Sequence, residues 1–121
     1  MMNAARIARL VAAGRVGFGV ALMLSPERLT TLWLGDDAAR TGTRVVTRGL
    51  GARDLALGAG ALAAGPADLQ RWVAAGIVAD AADLVATVAA GDSLPVAGRV
   101  LVGAVASAGA ALGAVALAGL R

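Results

Sequence analysis

The sequence predicts an all-α fold: an integral membrane four-helix bundle with a buried Asp/Arg cluster. Three observations predict it. The 121 residues are 59% apolar and only 16% charged, with a mean hydropathy of +0.78, whereas a soluble domain this small leaves much of its surface wet and needs charge to cover it. Four long apolar segments are separated by Pro, Gly and Asp, which is helix punctuation. Five ionisable residues fall near the middle of three of these segments, where charge is most costly.

The first segment is 7–24, closed by Ser25-Pro26-Glu27. Arg6 and Arg9 precede it, as they would a signal peptide, but Arg15 interrupts its core and no small-x-small cleavage site precedes Ser25. It is therefore expected to be retained as a membrane helix. Between the first two spans, Leu29 to Leu34 is too short to cross. Trp33 in it suits a headgroup belt, so an interfacial turn or short surface helix is expected there, acting as an anchor rather than a gate.

The second segment is 45–64, ended by Gly65-Pro66-Ala67-Asp68, and a loop is expected over 65–71. The third is 72–90, ended by Gly91-Asp92-Ser93. The fourth is 95–120, with Pro95 suited to a first helical turn. Residues 1–121 thus form one transmembrane domain. No segment shows the short alternating pattern of a strand.

Four spans put both termini on one side with Arg6, Arg9, Arg71 and Arg121 against Asp68. The other side holds Arg28, Arg40 and Arg44 against Glu27, Asp36, Asp37 and Asp92. The positive-inside rule then places both termini in the cytoplasm of a bacterial plasma membrane. Gly35-Asp36-Asp37 leading to Arg44-Val45-Val46 is echoed by Gly91-Asp92-Ser93 leading to Arg99-Val100-Leu101, a weak internal similarity that Ala/Gly-rich sequence also produces by chance.

Composition narrows the chemistry sharply. The chain has no Cys, His, Tyr or Lys, and all eleven basic residues are Arg. That removes thiolate nucleophiles, disulfides, His or Cys metal sites, Ser-His triads, lysine Schiff bases and tyrosine acids. No metal site and no cofactor motif is expected. A sequence pI near 11.3 resembles a nucleic-acid signal, but the Arg residues are scattered singly and Phe18, Trp33 and Trp72 are the only aromatics. Nucleic acid is therefore not an expected partner.

The mid-segment charges carry the functional reading. Arg15, Arg53, Asp54, Asp80 and Asp83 lie about 12–17 Å from the starts of their segments, at one depth whichever way each helix runs. They are expected to meet inside the bundle. Gly76, Asp80, Asp83 and Thr87 form one helical stripe, and Thr47, Gly51, Asp54, Gly58 and Ala61 another. Arg15 shares a face with Ala8, Ala12 and Gly19, and in the fourth segment Arg99, Gly103, Ser107 and Ala111 align. Arg48 and Arg99 lie close to segment ends and either snorkel to the headgroups or point inward. The two central arginines do not balance three aspartates, so Arg48 or Arg99 completes the charge, or one of Asp80 and Asp83 holds a proton. A proton held beside a partner carboxylate is what acid–base chemistry or proton coupling needs. A neutral Arg–Asp network that only locks helix register is the plainer reading.

The stretches Arg48-Gly-Leu-Gly-Ala-Arg-Asp-Leu-Ala-Leu-Gly58 and Val78-Ala-Asp-Ala-Ala-Asp-Leu84 resemble uncharacterised small four-helix membrane proteins of actinobacteria, loosely DoxX-like. The likeness extends to the Arg15 helix followed by Ser25-Pro26. It implies a four-helix bundle in the plasma membrane with a recurrent Arg-Asp/Asp-x-x-Asp core, and it implies no activity.

Three function classes remain. The first is a cofactor-independent acid/base enzyme of hydrolase, cyclase or isomerase type, opening an epoxide for example, on a lipophilic small molecule or lipid. Asp54, Asp80 and Asp83 would share the acid and base roles, with Arg15, Arg53, Arg48 and Arg99 binding substrate or stabilising negative charge. An Asp/Arg/Asp set is similar in residue type to sites in some small epoxide hydrolases and epoxide-opening cyclases, an analogy of chemistry and not of fold. The second is a small oligomeric proton-coupled transporter, though so few aromatics weaken it for hydrophobic cations. The third is an accessory or assembly subunit. A homo-oligomer suits so small a bundle in each case.

Overall fold

The computed structural model describes residues 3–121, and among them every regular element is helical. Five α-helices follow in order: α1 (Ala4–Leu24), α2 (Pro26–Leu34), α3 (Thr41–Ala63), α4 (Pro66–Ala90) and α5 (Val96–Leu120). Short 3-10 turns at Gly35–Ala39 and Gly91–Ser93 lead into α3 and α5. The all-α expectation holds. Three helices, α1, α4 and α5, are long and apolar enough to cross a membrane. α3 has the length, but Arg44, Arg48, Arg53 and Asp54 lower its hydropathy and it does not join that group.

The helices run longer than the apolar segments, because backbone capping rather than hydropathy sets where they start. Asn3 caps α1 by accepting a hydrogen bond from the Arg6 amide at 2.9 Å, a role short polar side chains fill well. Pro66 opens α4, with Asp68 in the first turn facing the positive helix end. The loop expected over 65–71 therefore shrinks to the Ala64-Gly65 joint, and Arg71 sits on α4. Pro95 lies just before α5 instead of inside its first turn. Gly35 and Gly91 end α2 and α4 with φ of +66° and +52°, which only glycine adopts without cost. The internal similarity seen in the sequence lies in these two turns.

α1 packs between α3 and α5, α4 lies against α5, and α3 and α4 touch only sparsely. Glycine sets the α1–α3 contact. A Cβ on Gly19 would stand 2.5 Å from the Gly51 carbonyl oxygen, and one on Gly58 would stand 2.5 Å from that of Ala12. Only hydrogen fits there, so the two backbones meet directly.

Three of the four expected stripes face inward. On α3 the buried residues are Thr47, Gly51, Asp54, Gly58 and Ala61, and on α1 Ala8, Ala12 and Gly19 are buried beside Leu22. On α4, Gly76 and Thr87 are buried with Asp80 and Asp83 half-buried between them. The α5 stripe is a correction. Ser107 and Ala111 are exposed, and the inward face is Gly98, Ala106, Gly113 and Ala116. Arg99 misdirected the register, since its own ion pair lies at the helix end.

The bundle is packed unequally along its length. The end carrying both termini holds an apolar core of Ala8, Ala12, Ala61, Leu69 and Ala116. Arg9 closes this end by donating to the carbonyls of Leu62 at 3.0 Å and Ala64 at 3.2 Å, the last groups of α3, which lack partners within the helix. The opposite half is hollow. There α2 folds across the bundle and is seated on α5 at Gly98, where a Cβ would be 2.5 Å from the Leu32 carbonyl oxygen.

Candidate functional site

The five mid-helix charges do meet. Arg15, Asp54 and Asp80 each lie within about two residues of the midpoint of their helix, so three helices deliver them to one height. The α1–α3 glycine contact sets Arg15 against Asp54, with Nη1 3.5 Å from Oδ1. The other Arg15 amino group donates to Asp80 Oδ2 at 2.6 Å and to the Gly76 carbonyl at 3.0 Å. Asp80 is held from behind by α5. A Cβ on Gly109 would stand 2.5 Å from its Oδ2, so glycine is what lets the carboxylate lie flat on that helix.

Arg53 extends the chain of charges. Its two amino groups donate to Asp83 at 3.1 and 2.7 Å, a two-pronged pairing, and one also approaches Asp54 at 3.4 Å. Asp80, Arg15, Asp54, Arg53 and Asp83 thus alternate in sign along one continuous network. Asp54, only 5% exposed, is its centre and is shared by both arginines. The outer pair is more open, with the Arg53 side chain 33% and that of Asp83 25% exposed.

Arg48 and Arg99 stand outside this network. Arg48 is exposed and donates to the Met23 carbonyl at 3.2 Å, near the end of α1. Arg99 faces Asp92, 3.5 Å away on the turn before α5. Neither completes the balance, so the five groups sum to one net negative charge.

A chamber of about 320 Å³ lies against the network. Arg15, Asp54, Asp80 and Asp83 form its polar wall, whereas Arg53 sits behind Asp54 and Asp83 and does not line it. The rest is apolar, drawn mainly from Val11, Leu50, Leu101, Val102 and Val105. Leu29, Thr30 and Trp33 of α2 close one side. Phe18, Leu29, Leu101 and Val105 belong to both this wall and the outer surface, so the chamber reaches the exterior. Its size is at the small end of ordinary ligand sites, about 300–1,000 Å³, and its balance of apolar wall with few convergent polar groups is typical of them. Among the described residues no three acidic side chains are grouped as ligands for a metal ion; each carboxylate of the network is turned to an arginine.

Sequence reasoning missed three parts of this site. Gly109 gave no signal among 17 glycines. In the sequence Phe18 is only one of three scattered aromatics, and Trp33 is expected to be a headgroup anchor. Both in fact line the chamber. The Ala and Gly residues of α5 fall on every face, so spacing within that helix does not single out Gly98, Ala106, Gly109 and Gly113 as its inward side. No family model, no curated protein and no solved structure matches the chain.

Proposed function

We propose that the protein spans a bacterial plasma membrane as a four-helix bundle, α3 included, and acts on a small lipophilic molecule held in the chamber. The reaction is acid/base catalysis without a cofactor, of hydrolase, cyclase or isomerase type, with epoxide opening the best match. The observation that carries this reading is Arg15 bridging Asp54 and Asp80 on the wall of an apolar chamber. One acid of such a set protonates the epoxide oxygen while its partner carboxylate activates water or an internal hydroxyl. The guanidinium keeps the unprotonated partner ionised and steadies the oxygen as negative charge develops. A dry wall strengthens each of these interactions.

α3 enters the membrane in this reading because its charges face its neighbours: Asp54 is buried, and Arg53 is paired. The resemblance to small actinobacterial membrane proteins points the same way. The arginine count does not set the orientation, because Arg48 and Arg99 join Arg28, Arg40 and Arg44 at the end opposite the termini, five against the four of Arg6, Arg9, Arg71 and Arg121. The half-open Arg53–Asp83 pair stands at mid-height where α3 and α4 touch sparsely. A second copy of the chain over that seam would shield it from lipid.

The test is turnover of monoterpene and sesquiterpene epoxides by the purified protein in vesicles, in ¹⁸O-labelled water, with products read by mass spectrometry. Labelled diol or cyclised alcohol is expected from the native chain and not from Asp80→Asn. Equal turnover by both would overturn the assignment. The pairing of every acid with an arginine favours a second reading, an accessory subunit whose network only fixes helix register. In that case Asp80→Asn leaves an associated partner bound as before.

A further inference from the structure

We propose that the chamber is complementary to a lipophilic monocation, which takes the place of one proton on the Asp/Arg network. The inference rests on the reading of the chamber as a ligand site, and it names what that ligand must be or become. The charged groups facing the network come from three helices: Arg15 on α1, Arg53 and Asp54 on α3, Asp80 and Asp83 on α4. α2 and α5 present only uncharged residues to the chamber, Thr30 and Trp33 from one and Val102, Val105 and Gly109 from the other. With Arg48 and Arg99 engaged elsewhere, the network is one positive charge short. A net charge left in a low-dielectric interior is costly. Only a proton or a bound cation can close the deficit.

The chamber favours a particular kind of cation. Its wall offers no free cage of oxygens for a small hydrated ion, because the carboxylates already accept from arginine. Its remaining surface is apolar, and Phe18 and Trp33, two of the three aromatic residues in the whole chain, stand in it. Aromatic faces attract bulky organic cations, which are weakly hydrated and lose little on leaving water. The scarcity of aromatics that weakens this idea on composition alone is offset by where they sit.

Within the acid/base reading, such a cation is made in place. The network proton moves to the epoxide oxygen, and the C–O bond breaks with its electron pair passing to that oxygen. Positive charge is left on the more substituted carbon, facing a network that now carries one negative charge. An alkene or hydroxyl of the same substrate supplies the electron pair of the new bond, and the proton it sheds returns to the carboxylate. Charge stays balanced throughout, and the site is complementary to the cationic state more than to the neutral substrate. Cyclisation or isomerisation of a lipophilic epoxide fits this better than attack by water.

Hexyltrimethylammonium and its neutral isostere 2,2-dimethyloctane separate the possibilities, since they differ in charge and hardly in shape. Occupancy is read by native mass spectrometry of the full chain from detergent micelles, and proton release by electrode in weakly buffered solution. The expected result is about tenfold or more tighter binding of the ammonium, with one proton released per chain. In Asp80→Asn the preference and the proton release both vanish while the isostere still binds. Asp83→Asn serves the same purpose should Asp80→Asn fail to fold. Equal affinity for the two probes, or binding of the ammonium without proton release, overturns the monocation assignment and leaves the chamber reading standing. Absence of binding by either probe overturns both.

Discussion

Gly109 supports the network without carrying any functional group, so Gly109→Ala tests the site's geometry directly. The added Cβ would stand 2.5 Å from Asp80 Oδ2 and 3.2 Å from its Cγ. Asp80 is a short side chain already fixed to Arg15 at 2.6 Å, so it can retreat only by giving up that contact or by pushing α4 outward. Overpacking of this kind costs about 1–3 kcal/mol. Ala gains roughly 0.5–1 kcal/mol over Gly inside a helix, so a control on the same helix is needed. Gly103→Ala provides it, because its Cβ meets only Leu84 at 3.9 Å, an ordinary contact. The two variants share the helix and the substitution and differ in the carboxylate alone. Unfolding in mixed micelles titrated with sodium dodecyl sulfate should place Gly109→Ala about 1–3 kcal/mol below Gly103→Ala, with reduced proton release on ammonium binding. Equal stability of the two would refute the placement of Asp80 against α5.

The backbone contact between α1 and α3 is less forgiving than a side-chain contact, so Gly58→Ala, 2.5 Å from the Ala12 carbonyl oxygen, should cost at least about 1–3 kcal/mol in the same titration. Arg15→Met leaves half-buried Asp80 without a cation and buried Asp54 with Arg53 alone, and should cost about 3–5 kcal/mol. Arg53→Met, with its partner Asp83 a quarter exposed, should cost less; the reverse order would mean that the inner pairs are not the buried ones. Arg9→Met removes the donor to the last carbonyls of α3 and should lose about 1 kcal/mol, seen as faster hydrogen exchange confined to the end carrying the termini. Arg48→Gln and Arg99→Gln lie outside the network, so ammonium affinity and proton release should match the native chain. A shift in either would mean that the charge count omits a member.

How much of this was legible in the sequence depended on side-chain size. On α1, α3 and α4 the mid-helix charges share a stripe with small residues (Ala8, Ala12 and Gly19; Gly51, Gly58 and Ala61; Gly76), so helical spacing assigns the inward face, and the network follows from depth. α5 offers no charge beyond Arg99, and its Ala and Gly residues fall on every face. There the register is decided by which glycine lies opposite a large group: Gly98 opposite α2, Gly109 opposite Asp80 and Gly113 opposite Ile77. Such pairings exist only between helices, and no periodicity within one helix reveals them. Helix ends were misplaced for a related reason. Hydropathy reports where a segment becomes apolar, whereas Asn3 and Pro66 start helices through backbone geometry in polar sequence. The chamber itself was beyond reach, because a void is set by what fails to meet. α2 seated on Gly98 holds Trp33 across the hollow half of the bundle, and nothing within residues 26–34 announces it.

The account turns on whether the chamber holds a ligand beside the network, and Trp33 can report it. In Trp72→Phe, Trp33 is the sole tryptophan and lines the chamber. Gly14 also lines it and has nothing within 4 Å of its Cβ position, so Gly14→Phe can be added to occupy the space. Titrating 1-bromooctane into vesicles carrying each protein measures access through quenching of Trp33 fluorescence by bromine. Saturable quenching that disappears when Gly14→Phe is added is the result the account predicts. Quenching that rises linearly with membrane bromine, and equally in both proteins, would contradict it.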